Sequence, residues 1–131
     1  MDELPIRTGD DVVRVRQQVR VVAAKTGLSL VDQTKVVTAA SELARNALVH
    51  GGGGLARVEV VTSALGKSGV RIGFTDEGPG ITDIGLALTD GWTSGNGLGL
   101  GLSGARRLVD EFELDSKPGT GTSVVVVKWS R

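Results

Sequence analysis

The chain predicts an α+β fold, a two-layer sandwich with a mixed, mostly antiparallel sheet and three main helices on one face. Two observations carry this. Strand-like runs come in pairs joined by short turns, at 56–75 and 112–129, instead of alternating singly with helices. Two long stretches with helical spacing of apolar residues precede them. The 131 residues suit a single domain over 1–131, which would bury roughly two-thirds of its unfolded surface and needs no disulfide or structural metal.

The elements follow in order. Residues 4–7 suggest a short opening strand. Asp10 or Asp11 would cap a helix running to about residue 25, with Gly27 just past its end. Val12, Val15, Val19 and Val22 mark its buried stripe. Ser29 or Asp32 would cap a second helix to about residue 49, with Val36, Ala40, Leu43 and Ala47 facing the core and the glycines at 51–54 ending it. A strand at 56–62, a turn at 66–69 and a strand at 70–75 form the first hairpin. The irregular region 76–98 holds one short helix near 83–88. A third long helix starts at Gly99 or Leu100 and runs to about residue 109. Strands at 112–116 and 122–129 close through Pro118-Gly119, and the run Val124 to Val127 suggests a strand buried on both faces.

Composition removes several functional classes. Without cysteine, disulfides and thiolate metal sites are excluded, and a single histidine excludes His-rich metal sites. Fifteen basic residues balance fifteen acidic ones, so the footprint of a nucleic-acid binder is missing. Aromatics at 3% leave little for base stacking. The N-terminus lacks a signal-peptide pattern, and no apolar run approaches the roughly 20 residues of a membrane span. A cytoplasmic protein with no membrane partner is the expectation.

Twenty glycines are about twice the usual share. They gather at 51–54, 78–80, 95–104 and 119–121, where the chain must turn tightly or approach a ligand closely. Three motifs result. Glu42 and Asn46 lie four apart on the second helix and share a face. A carboxylate there can accept a hydroxyl proton, and a carboxamide oxygen can hold Mg²⁺. Taken alone, the pair also reads as an ordinary solvated face. Asp76-Glu77-Gly78-Pro79-Gly80-Ile81 follows an apolar strand. Its aspartate can accept from an exocyclic amine such as that of adenine, although an Asp/Gly/Pro turn explains it as well. Gly95 to Gly101 leads into a helix, so freed backbone N–H groups and the helix N-terminus favour a phosphate.

Some look-alikes fail. Gly99 to Gly104 matches G-x-G-x-x-G but follows a loop, not a strand. Gly66-Lys67-Ser68 lacks the first glycine of a P-loop, because position 61 is Val. His50-Gly51-Gly52-Gly53 has no G-x-S-x-G nucleophile to serve.

Together, in this order, the motifs resemble the GHKL ATP-binding superfamily of gyrase, Hsp90, histidine kinases and MutL. Glu42 to His50 resembles its N-box, Asp76 to Gly80 its D-x-G-x-G box, Gly97 to Gly101 its second glycine box, and Gly119-Thr120-Gly121-Thr122 its closing segment. The resemblance implies a Bergerat-type ATP-binding fold over nearly the whole chain. The 131 residues carry no histidine-bearing dimerisation helices, so a full histidine kinase is not expected. Within the superfamily the chain is similar to the anti-sigma-factor serine/threonine kinases, and most to the switch kinases of the bacterial stressosome. The phrases Val31-Asp32-Gln33, Asp110-Glu111-Phe112 and Lys128-Trp129 carry that closer likeness.

The resemblance implies ATP·Mg²⁺-dependent phosphorylation of Ser or Thr on STAS-domain scaffold or antagonist proteins. The released kinase would then bind a downstream phosphatase or other output protein. Glu42 would be the general base and Asn46 the Mg²⁺ ligand. Asp76 would read adenine, supported by Gly78, Gly80, Ile81 and Thr122. Gly97, Leu98, Gly99, Leu100 and Gly101 would cradle the phosphates. One departure stands out: related kinases have an arginine before the second glycine box, and here Gly95 or Asn96 occupies that place. Arg45 is a candidate substitute, and modest turnover is expected. The same gap motivates an alternative, a non-catalytic ATP-binding module that docks a sigma factor or phosphatase. A dinucleotide-binding fragment built on 99–104 is the third reading.

Overall fold

The computed structural model describes residues 2–80 and 101–131. Strand β1 (Asp2–Ile6) is followed by helices α1 (Gly9–Lys25) and α2 (Leu30–Val49). Strands β2 (Gly54–Thr62) and β3 (Ser68–Asp76) come next, then helix α3 (Gly101–Arg107) and strands β4 (Glu111–Lys117) and β5 (Gly121–Trp129). The described strands form one sheet in the order β1-β2-β3-β5-β4. Every described pairing is antiparallel, so this part of the sheet is more uniform than the mixed arrangement the sequence suggests. The short helix expected near 83–88 lies outside the described residues.

The helix stripes are those the valine spacing predicts. Val12, Val15, Val19 and Val22 of α1 are buried, as are Val36, Ala40, Leu43 and Ala47 of α2. They meet the inward residues of the sheet, among them Ala56, Val58, Val70, Ile72, Phe74, Val124 and Val126, in one core that Leu102 and Ala105 of α3 also join. Helix termini differ slightly from the sequence reading. Thr8, not Asp10 or Asp11, caps α1. Its hydroxyl accepts from Asp11 N at 3.3 Å, and Asp11 Oδ2 accepts from Thr8 N at 3.1 Å, a capping box with Asp in the usual Glu place. Ser29 caps α2 through Asp32 N at 3.1 Å. Helix α3 stops at Arg107, earlier than the spacing suggests, and Asp110 N then donates to Val127 O and draws the chain into the sheet.

Strand β5 is the second surprise. It does more than close a hairpin with β4: it lies between β4 and β3, with Thr122 opposite Asp76 and Val126 opposite Ile72. Val124 and Val126 point into the core, and Val127 is buried on the opposite face, while Val125 is only half-buried. The expectation of burial on both faces therefore holds for most of the run.

An ionic cluster with a buried Lys128–Asp32 pair at its centre and the exposed Asp110 and Arg131 at its margin ties the far end of α2 to this strand. Lys128 Nζ lies 3.1 Å from Asp110 Oδ1 and 3.7 Å from Asp32 Oδ1, and Arg131 Nε donates to Asp32 Oδ2 at 3.2 Å. Asp110 Oδ2 also accepts from Trp129 N at 2.8 Å. Burial alone would raise the Asp32 carboxyl. The hydrogen bond from Arg131 and the charges of Lys128, Arg131 and Lys35 outweigh it and hold the group below its ordinary range.

Candidate ATP site at the C-terminal end of helix α2

Helix α2 supplies the first wall of the site. Glu42 and Asn46 are one helical turn apart and both half-buried, which fits side chains that face a cleft at the core's margin. Arg45 Nη1 sits 3.7 Å from Glu42 Oε1. The candidate substitute for the missing arginine thus lies beside the candidate base. At the helix end, Asn46 O accepts from His50 N at 2.9 Å and from Gly51 N at 3.3 Å, and Ala47 O accepts from Gly53 N at 2.9 Å. These bonds hold the glycine run 51–53 close under the last turn.

That run meets the Asp76 loop. Asp76 ends β3 between Gly54 of β2 and Thr122 of β5. Its Oδ1 accepts from Gly78 N at 2.9 Å, which fixes the carboxylate in an Asx turn. Gly51 and Gly78 touch each other through their backbones: a β-carbon on Gly78 would lie 2.5 Å from Gly51 Cα. On the other side, Gly80 has φ of 76° and rests on the β4–β5 turn, where a β-carbon would come within 2.2 Å of Lys117 O. Both the left-handed backbone and the contact require glycine. Pro79 O accepts from Gly119 N at 2.7 Å, so the same turn grips the loop twice. The Thr122 hydroxyl lies 2.9 Å from Ser116 Oγ.

The structure therefore brings Asp76, Gly78, Gly80 and Thr122 together beneath the end of the helix that carries Glu42 and Asn46. Gly101 opens α3, which packs on α2 through the shared core. Ile81, Gly97, Leu98, Gly99 and Leu100 lie outside the described residues. The sequence reading left Gly51 without a role, and its place in the glycine run was the only signal of its contact with Asp76. Among the described residues, no group of three or more His, Cys, Asp and Glu side chains could hold a metal ion.

Comparison with known proteins shows the family. Residues 31–130 match the family described as histidine kinase-, DNA gyrase B-, and HSP90-like ATPase. The chain is 45% identical over 126 residues to the serine/threonine-protein kinase RsbT of Bacillus subtilis, covering 96% of this chain and 94% of that one. The chain belongs to this ATPase family and, within it, to the RsbT family of serine/threonine-protein kinases. The anti-sigma F factor of Clostridium beijerinckii is 35% identical over 100 residues, covering 71% of this chain and 68% of that protein. A crystal structure of the RsbU and RsbW domains of a Mycobacterium tuberculosis protein superposes with a TM-score of 0.63 at 25% identity. It covers all of this chain, which spans 33% of that one. The α+β architecture and the GHKL resemblance of the sequence both stand. Among the described residues, no helix is long and apolar enough to cross a membrane.

Proposed function

We propose that this kinase transfers the γ-phosphate of ATP to a Ser or Thr hydroxyl of a STAS-domain regulatory protein in a partner-switching, stressosome-type pathway, and that it acts in the cytoplasm. The observation that carries the reading is the placement of Glu42 and Asn46 on one face of α2, with Asp76 held against the glycines that end the same helix.

The residues fit the nucleotide and its ion. Gly51 and Gly78 pack backbone to backbone beside the Asp76 carboxylate, which would accept from the exocyclic amine of a planar base. Mg²⁺ takes oxygen ligands in octahedral geometry and draws most of them from phosphates and water, so a single amide oxygen from Asn46 suffices on the protein side. Bound there, the ion would neutralise charge on the transferring phosphoryl group. Glu42 would accept the proton of the substrate hydroxyl. Arg45, beside it, would help hold that carboxylate in place and offer positive charge near the reacting oxygens. Gly101 would lend the first N–H groups of α3 to the phosphate cradle, along with Gly97, Leu98, Gly99 and Leu100. Positioning and charge neutralisation then supply nearly all of the catalysis.

The RsbT relative and the anti-sigma F factors support a partner-switching role. In that role the dephosphorylated partner would retain the kinase, and phosphorylation would release it to a phosphatase or other output protein. The test is transfer of labelled γ-phosphate from ATP·Mg²⁺ to a STAS-domain protein encoded nearby. Wild type should label the partner. Glu42→Ala should bind ATP normally and label nothing. Label that persists in Glu42→Ala would overturn the base assignment, and ATP binding without any label would favour a docking module.

A further inference from the structure

The face of the sheet turned away from the helices carries a groove of about 210 Å³. Its lining includes Val61, Arg71, Glu113, Val125, Val127 and Trp129, with Glu111 at its rim. The sequence builds this groove through β3. On that strand the outward positions around Arg71 are Gly69 and Gly73, so the middle of the sheet is low while β2 and β5 stand above it. The Trp129 ring lies over Gly69, where a β-carbon would meet ring carbon Cε3 at 2.6 Å. Trp129 Nε1 donates to Glu111 Oε2 at 2.5 Å, which fixes the indole as a wall. Val127, on a face that no described helix covers, is still only 7% exposed. It is thus sheltered by side chains of the groove itself.

Charge on this face is unevenly compensated. Arg71 pairs with Glu59 at 3.5 Å, and Arg57 pairs with Glu3 at 2.7 Å. Glu111, Glu113 and Asp115 follow at alternate positions of the edge strand β4, so all three share the outer face. All three are exposed, and neither Glu113 nor Asp115 meets a cation among the described residues. An apolar trough with a fixed tryptophan wall is thereby bordered on one side by three carboxylates, with Lys117 at the far end of the same row and Arg71, paired with Glu59, on the opposite side.

We propose that this face, which no described helix covers, is a docking surface for a basic segment of a partner protein. One aliphatic side chain of that segment would enter the trough between Val125, Val127 and Trp129, and flanking Lys or Arg side chains would meet Glu111 and Glu113. The complementarity selects positive partners and repels acidic ones. The surface is independent of the phosphoryl-transfer site, so the kinase could hold a partner here while its nucleotide site is occupied.

Trp129 reports on the groove directly. In a Trp92→Phe background, its emission is titrated with a blocked seven-residue peptide alternating lysine and leucine, and with the glutamate counterpart. The lysine peptide should shift the emission, the glutamate peptide should not, and Glu113→Lys should weaken the lysine peptide by at least about tenfold. ATP binding should stay unchanged in Glu113→Lys, which keeps a failure here separate from a failure of the kinase reading. Absence of a shift, an equal response to both peptides, or a response that survives Glu113→Lys would overturn the proposal. So would a Trp129 signal that tracks protein concentration without peptide, since it would assign the face to a second copy of the chain.

Discussion

Gly51 stands so close to Asp76 that a β-carbon on it would lie 2.3 Å from the Asp76 carboxyl carbon. The same atom would lie 2.7 Å from Ala47 O, so neither the strand end nor the helix end can give way cheaply. Gly51 does not have positive φ, so its backbone alone tolerates alanine. Gly51→Ala should therefore act through the Asp76 side chain. We expect a folded protein whose ATP affinity falls at least about tenfold. The nucleotide-dependent rise in melting temperature measures this, and an unchanged rise would remove Asp76 from adenine recognition.

Under the proposed role of Asn46, its substitution should separate metal binding from nucleotide binding. Asn46→Ala should leave ATP affinity without Mg²⁺ near wild type and lower the transfer rate by roughly a hundredfold, in the range seen when one electrostatic contact to the transition state is lost. A Mg²⁺ titration of transfer checks it. The apparent Mg²⁺ requirement should rise in the variant, and an unchanged Mg²⁺ profile would count against the ligand role.

Lys128 tests the ionic cluster. Its ammonium is nearly inaccessible between Asp110 and Asp32. Its removal leaves the buried Asp32 carboxylate with Arg131 alone, so Lys128→Met should lower stability by about 1–3 kcal/mol in denaturant unfolding. Adding Asp32→Asn and Asp110→Asn should restore much of that loss, because no buried charge is then left unmatched. A triple variant as weak as Lys128→Met alone would locate the effect in packing instead.

The acid limb of stability follows from the same cluster. Asp32 in the folded chain releases its proton more readily than at its ordinary value of 3.8. The unfolded chain is therefore protonated first on acidification. Its stabilising share is complete above about pH 4 and is lost as pH falls through the lower folded value. Asp11 acts in the same direction, held down chiefly by the backbone N–H of Arg7. Unfolding followed by circular dichroism between pH 5 and 2 should show stability falling in wild type. Asp32→Asn should start lower at pH 5 and decline less steeply, with a residual slope from Asp11.

Much of this was legible in the residues, for identifiable reasons. Valines at helical spacing report directly on burial, so the faces of α1 and α2 follow from their positions. Glu42, Asn46 and Asp76 stood out through the spacing of the first pair on one helix face and the order of the glycine-rich segments around them, since each alone reads as ordinary surface or turn. Sheet order was less accessible. A hairpin turn at 118–119 announces that β4 and β5 pair, but nothing local says that β5 also pairs with β3. The cap at Thr8 was hidden by two aspartates that follow it, of which Asp11 serves as the partner and not the cap. Lys128 was a missed signal of another kind. A lysine ending the run Val124 to Val127 reads as the exposed end of a strand, yet Asp32 and Asp110, 96 and 18 residues earlier in the sequence, converge on it.

The position of β5 in the sheet has a consequence for the making of the protein. As the chain leaves the ribosome, β3 emerges with one hydrogen-bonding edge vacant, and that edge stays vacant until residues 121–129 follow. Asp76 gains its neighbour Thr122, and Gly80 its seat on Lys117, only at that late stage. Nascent chains shorter than this would present an open strand edge to solvent and an unfinished candidate site. A ligand of the candidate site would then be unable to assist early folding, because that site is assembled only once residues 121–129 have joined the sheet.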